Sequence, residues 1–132
     1  MSNVTAASIM TDEEAMTIAQ GWIAAWNSHD IDRILSHYSD AIELTSPLAS
    51  RILGAGNNVV IGKAALRKYF LRALETFPDL RFTLWGAFPG LDSLVVHYES
   101  VRGMPAAEYM RIDAGGRVCQ VVAHYRAPEP TP

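Results

Sequence analysis

The chain has 132 residues, a formal net charge of −3, and a composition that is 49% hydrophobic and 19% charged. That length supports one domain around a single core, and the acidic balance without any basic run argues against nucleic acid or an anionic membrane as partner. The lone cysteine, Cys119, excludes an intrachain disulfide and a cysteine metal cluster. It falls in a predicted strand, where a buried, inert thiol is the simpler reading than a nucleophile. The first fifteen residues lack the basic start and apolar run of a signal peptide, and no segment reaches transmembrane length. The expectation is a cytoplasmic protein with a flexible lead-in over residues 1–10, a domain over 11–126 and a disordered Pro-rich tail over 127–132.

Thr11 with Glu14 three residues later forms a capping-box pattern, and apolar residues at 15, 18, 19, 22, 25 and 26 predict the first helix. Asn27-Ser28-His29 interrupts it. Asp30 then caps a short second helix with Ile31, Ile34, Leu35 and Tyr38 on its buried side. Residues 41–46 alternate as a strand that Pro47 ends. Residues 48–58 show no period and read either as a flap over a pocket or as a surface loop. Gly62-Lys63 resembles a phosphate loop only superficially, because Ala64 stands where Ser or Thr is required. Leu66, Tyr69, Phe70, Ala73, Leu74 and Phe77 give the clearest helical stripe, over 63–77, which Pro78-Asp79 stops. Residues 80–88, 93–101, 104–112 and 117–125 then read as an antiparallel meander. Helices segregated to one side of an antiparallel sheet define an α+β fold.

The second and third strands of this meander, 93–101 and 104–112, carry the chemistry. With Arg102-Gly103 as a two-residue turn, His97 faces Glu108, Glu99 faces Ala106 and Val95 faces Met110. Those side chains share one sheet face, and Val96, Tyr98, Tyr109 and Val122 share the other. A turn at Ala114-Gly115 pairs Met110 with Cys119 and Glu108 with Val121, and adds Tyr125 to the Glu108 face. Both faces are largely apolar, which predicts helices on one and a second subunit on the other, and periodicity does not say which is which.

The segments WIAAWNSHDIDRILSHYSDAIEL, the Gly62-Lys63 helix start and EYMRIDAGGRVCQVVAHY resemble the SnoaL-like group of the nuclear transport factor 2 superfamily, over roughly residues 12–126. The resemblance implies a cystatin-like cone, with three N-terminal helices packed on a curved antiparallel sheet. It is similar to the ketosteroid isomerase branch in placing an acid, Glu108, before Tyr109-Met110-Arg111-Ile112-Asp113, and this implies that the Glu108 face is the inside of the cone. Trp22 stands where that branch has its oxyanion-hole tyrosine, Tyr38 where it has a supporting tyrosine, and Ser46 where it has its general-base aspartate before a proline. The base is therefore missing, and neither Val121 nor Ala123 supplies the last-strand aspartate of SnoaL-type cyclases.

Glu108 and His97 are the candidate catalytic pair, a buried acid exchanging a proton with an imidazole; the bland alternative is a polar pair that merely stabilises the sheet. Trp22, Trp26, Tyr38, Ser46, Tyr69, Phe70, Val95, Glu99, Met110, Val121 and Tyr125 are the candidate pocket lining, with Glu99 toward the rim. His97, Glu99 and Glu108 do not gain His29, His37 or His124 as further ligands, so no metal and no other cofactor is expected. Ser46 lacks the motif of an activated nucleophile. The expectation is acid–base chemistry (isomerase, cyclase or dehydratase type) on a compact apolar molecule, or else a non-catalytic apolar-ligand-binding or accessory protein. In either case a homodimer through the convex sheet face is expected.

Overall fold

The computed structural model describes residues 8–127. Helix α1 spans Asp12–Ser28 and opens on the expected capping box: Glu14 N–H donates to Thr11 Oγ1 at 3.0 Å, and Thr11 N–H donates to Glu14 Oε1 at 3.1 Å. His29 ends it in the left-handed region at φ 59° and anchors the corner through a 2.7 Å contact from Nε2 to the Leu80 carbonyl oxygen. Asp30 caps α2, Ile31–Leu35, by accepting from the backbone of Asp32 and Arg33. Tyr38, expected at the end of that helix, instead begins strand β1, Tyr38–Thr45.

The stretch after β1 is a helix rather than a loop. Ser46 Oγ accepts from Leu48 N–H at 3.1 Å, Pro47 occupies the first turn, and α3 runs from Pro47 to Leu53. Gly54 to Asn58 return the chain to β2, Val59–Ile61, which pairs antiparallel with β1. Helix α4, Lys63–Thr76, follows, then β3, Thr83–Pro89, and β4, Ser93–Glu99. Strands β5, Pro105–Ile112, and β6, Val118–Tyr125, complete a single sheet in the order β2-β1-β6-β5-β4-β3. Among the described residues, four helices thus pack with a six-stranded sheet in an α+β arrangement, and the sheet is mixed rather than wholly antiparallel, because β1 and β6 run parallel.

The lead-in is structured from its eighth residue. Met10 N–H donates to the Gly90 carbonyl at 3.0 Å and Ile9 bridges Leu91, so residues 8–10 fasten onto the β3–β4 turn. The remaining lead-in, 1–7, and the tail beyond 127 lie outside the described residues.

The largest departure from the sequence reading is in the β4–β5 connection. Arg102-Gly103 does not make a two-residue turn; Ser100–Met104 form a wider loop around a 3₁₀ turn, Val101–Gly103. Arg102 itself takes the left-handed conformation at φ 54°, followed by Gly103 at φ 71°. Val101 and Met104, expected as the innermost strand pair, are buried loop residues. The register shifts by one residue: His97 pairs with Ala107, Val96 with Glu108, Tyr98 with Ala106 and Leu94 with Met110. A one-residue slip exchanges the faces of an entire strand. Val96 and Tyr98 therefore turn inward with Glu108, and Val95, His97 and Glu99 turn outward.

The β5–β6 connection is also longer than expected, with Asp113 Oδ1 accepting from the backbone N–H groups of Gly115 and Arg117. Met110 pairs with Val121, Glu108 with Ala123 and Ala106 with Tyr125, a two-residue shift that leaves the faces unchanged. Only near the turn does an irregularity between Arg111 and Ile112 alter them, burying Val118 and leaving Cys119 half-buried with its thiol at 3.5 Å from the Arg111 carbonyl.

Candidate active site

The registers place the inward side chains in rows across the sheet. One row reads Leu44, Val121, Met110, Leu94 and is wholly apolar and buried. The next centres on Ala123 and Glu108, with Ser46 just past Thr45 on one side and Val96 on the other. A third reads Tyr125, Ala106, Tyr98. Ala123 in the second row leaves space that Ser46, Glu108 and the flanking tyrosines, Tyr98 and Tyr125, surround. A cavity of about 40 Å³ results, roofed by Trp22 and Trp26 from α1, Tyr69 and Phe70 from α4, and Phe82 from the segment before β3.

Glu108 is only 5% exposed, and burial pushes its carboxyl up to about 7. Tyr98 hydroxyl donates to Glu108 Oε1 at 2.8 Å, which favours the ionised form and holds that rise in check. The Tyr98 and Tyr125 phenols are raised well above their ordinary value by burial and then by the nearby carboxylate. Tyr69 is pushed up to about 12 by burial, with Ser46 pulling in the opposite direction. These hydroxyls are hydrogen-bond donors at neutral pH, never phenolates.

Tyr38, at the foot of β1, is fully buried and accepts from Trp22 Nε1 at 2.8 Å. Burial raises its pKa, as does Glu108, and the indole N–H opposes both. Trp22 is thus committed to the Tyr38 oxygen and acts on the cavity through it. The ring of Trp22 stacks on Phe82 at 5.6 Å and meets Tyr98 edge-on at 5.1 Å, which fixes the donor geometry.

Seven of the expected lining residues, Trp22, Trp26, Tyr38, Ser46, Tyr69, Phe70 and Tyr125, border this cavity together with Glu108. Met110 and Val121 sit on the same face but belong to the solid row, and do not line it. Val95, His97 and Glu99 are corrections: the one-residue register difference places them on the outer face. His97 packs edge-on against Trp85 at 4.9 Å, and Glu99 borders an outer groove beside the β4–β5 loop. Proton exchange between Glu108 and His97 is therefore excluded by the sheet lying between them. Sequence reading missed Tyr98, assigned to the opposite face, and also Leu44, Leu48, Phe77, Leu80, Phe82 and Ala123. The Ser46-Pro47 pair was a legible N-cap signal that would have placed Leu48 on a helix.

The inner cavity shares Phe77, Leu80, Ser100 and Val101 with the outer groove, so these four residues stand between the cavity and solvent. Arg102 lies over the Phe77 ring at 5.2 Å and ties that border to α4. No group of His, Cys, Asp and Glu among the described residues is arranged to hold a metal ion, and no described helix is long and apolar enough to cross a membrane.

Comparison with known proteins agrees with this architecture. A SnoaL-like protein of unknown function from Burkholderia thailandensis E264 superposes with a TM-score of 0.86 at 36% identity, covering 91% of this chain and all of that one. A candidate isomerase of the SnoaL-like family from Agrobacterium tumefaciens C58 gives a TM-score of 0.69 at 20% identity, over 86% of this chain and 97% of its own. A cystatin-like protein of unknown function from Methylobium petroleophilum PM1 gives 0.71 at 14% identity, over 93% and 82%. The last two likenesses concern the fold alone. Among proteins with curated functions, none matches the chain. The family described as SnoaL-like domain matches residues 19–128, and with that span and the Burkholderia relative in hand, the chain belongs to the SnoaL-like family.

Proposed function

We propose that this protein is an enzyme of isomerase, cyclase or dehydratase type, which moves a proton within a compact, mostly apolar molecule held in the cone, with Glu108 as its acid–base group. The observation that carries this reading is a single carboxyl group, buried in an apolar cavity, held by the Tyr98 hydroxyl and pushed up to about 7. A carboxyl with that affinity gives up and takes back a proton with similar ease near neutral pH. Glu108 takes a proton from a carbon of the substrate and returns it to another, or to a leaving oxygen. Tyr38, polarised by Trp22, orients the substrate and stabilises charge that develops on its oxygen, while Tyr98 holds the Glu108 carboxyl in place. Among the residues lining the cavity Glu108 is the only acidic side chain, and no histidine joins it, so one carboxyl serves both directions of transfer.

The test is turnover of a panel of small enones, epoxides and hydroxyketones by the native protein and by Glu108→Gln, with ligand affinity followed in parallel. Loss of roughly 10²–10⁴-fold in turnover with affinity kept supports the assignment. Native-level turnover by Glu108→Gln refutes it. Binding of panel members with no turnover by the native protein favours the second reading, an apolar-ligand-binding protein, which the small, largely apolar cavity also supports.

A second copy of the chain is proposed to cover the outer sheet face. The apolar residues there are Trp85 (48% exposed), Phe88 (62%) and Ile61 (69%), with Val95, Tyr109 and Val122 half-buried among them. Val96 and Tyr98, expected in that patch, are inside the cone instead. Sedimentation of the native protein and of Trp85→Glu checks this: a dimer that the substitution dissociates is the expected result, and a native monomer at micromolar concentration refutes it.

A further inference from the structure

We propose that the substrate carries a carboxylate at the end away from its reacting carbon, and that Arg51 and Arg126 hold it in a surface groove between α3 and the end of β6; the proposal rests on the reading of the inner cavity as the reaction site. Size brings the argument to the surface. The cavity is about 40 Å³ and one water needs about 10–15 Å³, so only a few heavy atoms of a ligand fit beside Glu108. The rest of the molecule has to leave the cone across one of its borders.

Two grooves adjoin the cavity, and they differ in charge. The groove beyond Phe77 and Val101 carries both signs, with Asp79 and Glu99 beside Arg81 and Arg102. The other, of about 220 Å³, shares Leu48 and Tyr125 with the cavity and is otherwise bordered by Pro47, Met104, Arg51 and Arg126. No acidic side chain lines it among the described residues. Leu48 and Met104 are buried and give it an apolar floor, while half-buried Tyr125 belongs to both spaces. An apolar chain that passes Leu48 and Tyr125 therefore emerges between two guanidinium groups.

Those groups come from elements far apart in the sequence. Arg51 stands in the last turn of α3, and Arg126 follows β6, where its backbone N–H donates to the Pro105 carbonyl at 2.8 Å. The ion pairs among the described residues are Lys63 with Asp40 and Arg67 with Asp32, and neither groove arginine takes part in one. Two like charges in one groove repel, and an anion between them relieves the repulsion and accepts charge-assisted hydrogen bonds. The planar fork of a guanidinium matches a carboxylate in particular. Inside the cone the balance is reversed: Glu108 stands there with no Lys, Arg or His, so the end that enters is uncharged. The inferred class is a short aliphatic acid that reacts at its uncharged end.

The test compares hexanoate with hexanamide, which has the same length and no charge. During NMR titration of the native protein, the Ala123 methyl resonance reports the cavity and the arginine Nε–H resonances report the groove. Hexanoate is expected to move both and to bind about tenfold more tightly than hexanamide at low salt, with that advantage shrinking as salt is added. Arg51→Gln and Arg126→Gln, both at exposed positions outside the cavity, should each lower hexanoate affinity about threefold and leave hexanamide affinity unchanged. Arg102→Gln, in the other groove, should change neither, and a selective loss of hexanoate there instead overturns the choice of groove. A rise of about tenfold in hexanoate affinity in Glu129→Gln would make the chain's own carboxylate the occupant and overturn the proposal. Hexanoate that moves the arginine resonances but not Ala123 is surface anion binding, and also overturns it. Hexanamide that moves Ala123 as readily as hexanoate refutes the anionic subsite and leaves the cavity reading standing. If neither ligand moves Ala123, both readings fall together.

Discussion

The inner face of the sheet is divided between two kinds of packing within a few ångströms. The row Val121, Met110, Leu94 is solid core, with Leu44 at its end reaching the cavity, whereas the rows through Ala123 and Ala106 surround space with Glu108, Ser46 and tyrosines. The same four strands make both. The difference lies in what stands at the middle of each row: Met110 and Val121 fill the first, and Ala123 leaves space in the next. One region is built for stability and the other concentrates buried polar groups whose desolvation is only partly offset by hydrogen bonds. A fold of this kind keeps a site next to its core by changing side-chain size along neighbouring strands, without changing the backbone.

The largest test of that division is Met110→Ala. Met110 is fully buried in the solid row, and its truncation is expected to destabilise by about 2–5 kcal/mol in chemical denaturation. An outcome below 1 kcal/mol would mean that this row is not the closed core it resembles.

Next is the dependence of stability on pH. The Glu108 carboxyl stands at about 7 in the folded state against a reference value of 4.5, so the native protein binds more protons than the unfolded chain between these values. This group's contribution is full below the lower value and is lost as pH rises toward and through the upper one, by roughly 3 kcal/mol in total. Urea melts from pH 4.5 to 8 check it, and Glu108→Gln should flatten the slope. A slope that persists unchanged in Glu108→Gln assigns the titration to another group.

Tyr98→Phe is expected to act more modestly, by about 1–2 kcal/mol, through loss of the 2.8 Å bond to Glu108. Because that bond favours the carboxylate, its loss should raise the Glu108 pKa, seen as a shift of the carbonyl band in infrared titration; a fall would reverse the assignment. The smallest effect belongs to the outer face. His97→Ala should change stability by less than about 0.5 kcal/mol and leave turnover unaltered, and a loss of turnover comparable to that from Glu108→Gln would bring the imidazole back into the mechanism.

Much of this molecule was legible in its sequence because local chemistry and tertiary structure agree there. Thr11 and Glu14, Asp30, and the stripe from Leu66 to Phe77 mark helices that form where their patterns place them. Glu108 is on the inner face, as the family resemblance implied. The failures have a common source in connections. Arg102-Gly103 reads as a tight turn because glycine is the usual carrier of positive φ, yet Arg102 takes φ 54° as well and the loop is wider. Val101 and Met104 are apolar because they are buried in that loop, not because they belong to strands. That one residue of difference exchanged His97 for Tyr98 as the neighbour of Glu108. Pro47 was read only as the end of a strand, although after Ser46 it equally starts a helix.

The parallel pairing of β1 with β6 has a consequence for how the protein folds. Leu44 reaches Val121 and Thr45 reaches Val122 only after two α-helices and four strands have been placed between them. Contacts so distant along the chain carry a loop-closure cost and raise the contact order, which slows folding relative to a helical bundle of this length. Ser46 and Tyr125 stand on opposite sides of that last closure. The site is therefore complete only when β6 is docked against β1, so the walls that bury Glu108 depend on the pairing most distant along the chain.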